Sequence, residues 1–187
     1  IQKCLVTIGR LPYTEGLGLE KTDVEVDERG FIETDETMET DQQDIYAIGD
    51  IEGQPMLAHK AFRDATIAVD SILGKEPPSR GHVPLVVFTD PQIARVGLSP
   101  SEGRDSGDKM GRSFLRAVGA SYTKNKTDGF ARILIDEDSK VIKGADIVGP
   151  DASELIHEVA VAVQNELTAE DIVNTVHTHP TLSEIIS

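Results

Sequence analysis

The sequence predicts an α+β protein in two parts: short strands and turns closed by one helix, then an antiparallel sheet with helices on one face. A helical period of apolar residues runs from Met56 to Leu73. The stretch 75–84 (KEPPSRGHVP) then breaks the pattern with prolines and glycine, as a linker does. Beyond it, alternating apolar runs face each other across Asp136-Glu137-Asp138-Ser139, a hairpin signal. The expected units are residues 1–82 and 83–187.

In the first unit, Leu5, Val6 and Ile8 are expected to end an apolar strand closed by Gly9, with Cys4 as a core residue of it. Val24-Glu25-Val26 alternates, Asp27-Glu28-Arg29-Gly30 turns, and Phe31-Ile32 resumes. Ile45-Tyr46-Ala47-Ile48 is a short apolar strand that ends at Gly49-Asp50. In the helix that follows, Ala58, Ala61, Ala65, Ala68, Val69 and Ile72 mark the face expected to be buried, and Gly74 closes it. In the second unit, Leu85–Phe88 and Ile93–Val96 read as strands, followed by Phe130–Asp136 and Val141–Val148. Leu155, Ile156, Val159, Ala160 and Val163 follow helical spacing with Ser153 as the expected N-cap. Thr168-Ala169-Glu170-Asp171 opens another helix with acid in its first turn. The stretch 99–113 has no clear pattern.

Composition narrows the function classes. Lys plus Arg is 18 and Asp plus Glu is 33, so the net charge of −15 repels phosphate backbones and argues against a nucleic-acid partner. The acids are dispersed, which fits either adaptation to high salt or an ordinary acidic cytosolic protein. The longest apolar run, near Leu85–Phe88, falls far short of the ~20 residues of a spanning helix, so no membrane partner is expected. A single cysteine excludes an internal disulfide, and with no visible signal peptide the expected location is cytoplasmic. The chain opens on Ile within an apolar run, as a piece of a longer protein would.

Three motifs could carry chemistry. Ile45–Asp50 delivers a glycine and then a carboxylate from the end of a strand, where open α/β sheets bind cofactors and a carboxylate can accept from a sugar-like hydroxyl. A plain Gly-Asp turn is the competing reading. Pro55-Met56-Leu57-Ala58-His59-Lys60-Ala61 opens the helix, whose N-terminal N–H groups favour negative charge on a ligand; the alternative is an ordinary helix start with His59 exposed. The third, His177-Thr178-His179-Pro180-Thr181-Leu182-Ser183-Glu184, admits several readings. A metal pair would lack further ligands, and a serine hydrolase would lack a G-x-S-x-G. A His–carboxylate dyad requires a helical turn from Thr181 to bring Glu184 back to His179, as suits a general base; a surface loop with two idle histidines is the bland alternative.

Taken together and in order, these motifs resemble the C-terminal part of the flavoprotein disulfide reductases. Val6-Thr7-Ile8-Gly9-Arg10-Leu11-Pro12 is similar to the segment leading back from that family's NAD domain. Ile45–Asp50 is similar to its second FAD fingerprint, Met56–Ala61 to the helix beneath its flavin, and Phe88-Thr89-Asp90-Pro91 to the start of its dimerisation domain. His177–Glu184 is the most specific match, closest to the members that oxidise dihydrolipoamide. The resemblance implies the end of an FAD-binding lobe followed by an antiparallel-sheet dimerisation domain. It implies FAD held by Gly49, Asp50, Met56, Leu57, Ala58 and His59, catalysis by His179 as base with Glu184 as its orienter, NAD as electron acceptor, and no metal. His177 is expected to be a bystander. The implied partners are a second copy of the chain and the lipoyl domain of a 2-oxoacid dehydrogenase complex. A glutathione-reductase-like activity and a non-catalytic dimerisation module are the alternatives. The chain departs from the family in having no G-x-G-x-x-G near a first strand and no redox cysteine pair, and in reading Phe62-Arg63-Asp64 where acids and glycine are usual. It reads as a C-terminal fragment, inactive alone.

Overall fold

A computed structural model describes residues 2–187, and the chain divides after Arg80 into two units. In the first, side-chain carboxylates build the turns. Asp27 Oδ1 accepts from the Arg29 and Phe31 N–H groups at 2.8 and 2.9 Å, which folds Val26 back to bridge Ile32. Asp35 Oδ1 does the same for Thr37 and Glu39, ahead of a second bridge between Glu39 and Tyr46. The expected Val26–Ile32 pairing is thus one bridge long, and the expected Ile45–Ile48 strand is reduced to one bridge at Tyr46. Val24, Ile32 and Ala47 form one small core, and Met38, Ile67 and Ala68 another.

Helix α1 spans Ala58–Ile72 and stops where Gly74 takes φ +66°. Its buried face only partly follows the alanine stripe. Lys60, Asp64, Ile67 and Ala68 point inward, whereas Ala58, Phe62, Val69 and Ile72 are exposed. Charge misled the periodicity: Lys60 and Asp64 count as polar, yet they are buried because they satisfy each other. The apolar start also departs from expectation. Leu5 is 87% and Ile8 95% exposed, Cys4 is exposed and free, and this stretch has no strand. A strand needs a neighbour's backbone groups, and no ladder partner lies beside it among the described residues.

The second unit, Gly81–Ser187, is a five-stranded antiparallel sheet. Its strands are β1 (Leu85–Val87), β2 (Gln92–Gly97), β3 (Lys109–Phe114), β4 (Phe130–Ile135) and β5 (Ile142–Gly149), in the order β1-β2-β5-β4-β3. The β4–β5 hairpin turns where expected, with Asp136 Oδ1 accepting from the Asp138 and Ser139 N–H groups. The stretch 99–113 is helix α2 (Pro100–Ser106) followed by β3. Ser99 and Glu102 cap α2 reciprocally, and Gly107 ends it at φ +83°. Helix α3 is Gly119–Thr123, α4 is Ala152–Gln164 and α5 is Ala169–Asn174. Asp151, in the left-handed region at φ +57°, is the N-cap of α4. The expected cap, Ser153, instead lies inside the helix, with its N–H on Gln92 Oε1. Thr168 and Asp171 cap α5 reciprocally.

One face of the sheet is apolar. Ala94, Val96, Ala131, Ala145 and Ile147 turn one face into a core shared with Ile156, Val159 and Ala162 of α4. Each fully buried Ile or Val there is worth about 1.5–3 kcal/mol. On the other face Asp146 accepts from Arg95 Nε at 2.5 Å and Arg132 Nη2 at 2.6 Å, one partner on each flanking strand. Gly97, at φ +69°, crosses so close to Lys143 that a Cβ would lie 2.2 Å from its carbonyl oxygen. No helix among the described residues is long and apolar enough to cross a membrane.

Candidate active site

The C-terminal run leaves α5 through Thr175 and ends in a 3₁₀ turn, Leu182–Ile185. Leu182 and Ile185 sink into the sheet–α4 core, so the turn is fixed from beneath. Glu184 then uses both carboxylate oxygens. Oε2 accepts the Thr181 N–H at 2.9 Å, and Oε1 lies 2.8 Å from His179 Nδ1. The His179 bond and then the Thr181 N–H hold the Glu184 carboxyl below the usual carboxylate range. Thr181 Oγ1 donates to the Thr178 carbonyl at 2.6 Å, closing the loop.

The His179 side chain is 75% exposed. With Nδ1–H directed at the carboxylate, Nε2 keeps its lone pair toward solvent, the arrangement of a base awaiting an incoming proton. His177 is placed otherwise. Its side chain is 8% exposed, with Nε2 2.7 Å from Glu158 Oε1 on α4 and Nδ1 2.9 Å from the Thr175 carbonyl oxygen. The two histidines therefore serve different carboxylates, and the described residues form no group of three or more His, Cys, Asp or Glu able to hold a metal.

The other candidate residues lie in the first unit. Gly49 opens a 3₁₀ turn, Gly49–Ile51, at φ +77°; a Cβ there would stand 3.1 Å from Ala61 Cβ, so glycine lets the turn approach α1. The Asp50 carboxylate is half exposed, 3.6 Å from Arg10 Nη1. Met56 and Leu57 are half-buried, and Ala58 and His59 exposed, at the start of α1. No side chain caps that helix, and no acid stands in its first turn. A glycine turn touching a helix start without a side-chain cap, with a half-exposed carboxylate beside it, fits the hydroxyls and electron-rich ring edge of a flavin.

Sequence reasoning missed four supporting residues. Lys60, Asp64 and Glu52 form a buried cluster beneath Gly49; the i,i+4 spacing of Lys60 and Asp64 was its only visible signal. Glu158 left none, because it meets His177 only through the tertiary fold.

Comparison with known proteins follows this geometry. Residues 83–187, more than half the chain, match the family profile "Pyridine nucleotide-disulphide oxidoreductase, dimerisation domain", and residues 1–65 match "Pyridine nucleotide-disulphide oxidoreductase". The chain belongs to the pyridine nucleotide-disulphide oxidoreductases. It is 43% identical over 189 residues to dihydrolipoyl dehydrogenase 2 of Haloarcula marismortui, covering 99% of this chain and 40% of that protein. It is 46% identical over 184 residues to the dihydrolipoyl dehydrogenase of Chlamydia muridarum, covering 97% and 40%. Among solved structures it superposes on LpdA from Mycobacterium tuberculosis with a TM-score of 0.90 at 34% identity, covering 96% of this chain and 40% of that one. It superposes on the HOCl-induced flavoprotein disulfide reductase RclA from Escherichia coli with a TM-score of 0.87 at 28% identity, covering 96% and 42%. The chain thus spans about two fifths of the length of the curated relatives it matches.

Proposed function

We propose that this chain is the C-terminal part of a dihydrolipoyl dehydrogenase, whose whole form oxidises dihydrolipoamide to lipoamide and reduces NAD⁺. The observation that carries the reading is the 2.8 Å His179–Glu184 pair with Nε2 open, in a chain 42–46% identical to dihydrolipoyl dehydrogenases. Dihydrolipoamide gives up two electrons and two protons as its two thiols join in a disulfide; NAD⁺ takes up two electrons and one proton as NADH, and the second proton is released. His179 Nε2 takes the proton of one substrate thiol, since the thiolate is the nucleophile in disulfide exchange. Glu184 holds Nδ1–H and stabilises the imidazolium formed. When bound, FAD supplies the two-electron relay between a redox disulfide outside this chain and NAD⁺. Asp50 would accept from its ribityl hydroxyls. The Leu57–His59 backbone would supply N–H groups to its ring, and Gly49 would let the turn come close.

The dimerisation-domain match supports a homodimer, in which His179 would serve the partner's disulfide. The proposed partner complex carries a lipoyl domain, and the proposed compartment is the cytoplasm, consistent with the free thiol of Cys4. The test is an assay of the full-length protein containing this chain. Dihydrolipoamide-dependent NADH formation is expected, and NADPH-dependent reduction of glutathione disulfide is not. The reverse preference overturns the reading.

A further inference from the structure

We propose that His177 is a standing imidazolium, a positioning residue that ties the His179 loop to α4 and keeps a positive charge beside Glu184. The argument is one of donors and acceptors. His177 Nδ1 lies 2.9 Å from the Thr175 carbonyl oxygen, which can only accept. Nε2 lies 2.7 Å from Glu158 Oε1, a carboxylate oxygen that accepts. Both ring nitrogens must therefore donate, and only the imidazolium carries two N–H groups.

The surroundings agree. His177 lines a cavity of about 470 Å³ with Glu158 and Val161 from α4, Ile172 from α5, and Ser183 from the C-terminal turn. The charged groups that act on it are Glu158 and Glu184, both negative. Partial burial works against its charge, but the Glu158 hydrogen bond, the Thr175 carbonyl and the two carboxylate charges outweigh it, so its pKa is raised. Two residues apart in sequence, the two imidazoles go opposite ways: His179 outward to its work, His177 inward as an anchor. The anchored cation favours the Glu184 anion that orients His179, and extends base function to lower pH. That catalytic consequence rests on the function proposed above; the charge state of His177 does not.

The experiment uses the full-length protein with ¹⁵N-labelled histidine rings. Both His177 nitrogens are expected to give protonated shifts at pH 7.5; one unprotonated nitrogen overturns the proposal. In kinetics, His177→Gln should move the acid limb of kcat/KM for dihydrolipoamide upward by roughly half a pH unit, and His177→Lys should keep it in place. An equal loss of rate in His177→Gln and His177→Lys with an unmoved profile means a merely structural role and overturns the positioning claim. A wild type inert toward dihydrolipoamide brings down the functional reading, while the nitrogen shifts still decide the charge.

Discussion

Lys60 and Asp64, one helical turn apart on α1, form a 2.8 Å ion pair in which the lysine side chain is 2% and the aspartate 0% exposed. The pair also grips the turn that carries Asp50. Asp64 Oδ2 accepts the Gly49 N–H at 3.1 Å, and Lys60 Nζ reaches the Gly49 carbonyl oxygen at 3.4 Å and Glu52 Oε2 at 2.5 Å. Arg80 Nη2 completes the charge balance on Glu52 at 2.9 Å. Both sides of Asp50 are thus held from the helix below.

Removing one partner should be worse than removing two. Lys60→Met leaves Asp64 buried without its cation, and breaking such a pair typically costs about 3–5 kcal/mol. Lys60→Met/Asp64→Leu should lose less than the sum of the single changes, because no uncompensated charge remains at that pair. Urea unfolding of the three variants reads this directly; a Lys60→Met protein as stable as wild type contradicts the account.

The dyad variants separate the base from its holder. In the full-length enzyme His179→Gln should lower turnover with dihydrolipoamide by ~10²–10⁴-fold, the usual weight of a positioned general base. Glu184→Gln should cost less, since the imidazole remains. Steady-state rates under saturating dihydrolipoamide measure both. A mild His179→Gln beside a crippling Glu184→Gln would overturn the assignment of roles.

The two carboxylate–histidine pairs should give stability opposite pH dependences. Glu184 has a depressed folded pKa, so its contribution is present above its ordinary value of 4.5 and is lost as the pH falls below that value toward the folded one. His177 has a raised folded pKa, so its contribution is full below its ordinary value of 6.5 and is lost as the pH rises through the folded one. Melting temperatures across pH should therefore show Glu184→Gln converging on wild type in acid, and His177→Gln converging in alkali. Convergence at the opposite ends would refute both signs.

Association is the last expectation. The second unit matches a dimerisation domain, and two copies are expected to pair around a twofold axis. Sedimentation of the full-length protein should give a dimer at micromolar concentration. A monomer at high concentration and high salt would count against it.

Much of the second unit was legible before any coordinates. The β4–β5 hairpin and the α4 spacing survive into the structure because turns and helix periods are set by local geometry. Ser99 and Glu102, three apart behind Pro100, held a capping-box signal in the stretch 99–113 that went unread. The first unit was less legible. Its strands shrink to single bridges at Val26–Ile32 and Glu39–Tyr46, because side-chain turns, not ladders, hold them.

The sequence by itself determined the motif order, the Gly49-Asp50 turn and the Thr181-to-Glu184 span that returns a carboxylate to His179, because each needs only a few consecutive residues and their short-range hydrogen bonds. Only the tertiary structure decided which way α1 faces, that Lys60 is buried with Glu52 and Asp64, and that Glu158 claims His177. Burial of a charge is favourable only where a partner stands ready, and residues 158 and 177 meet only after α4 and the C-terminal loop have packed on the same core.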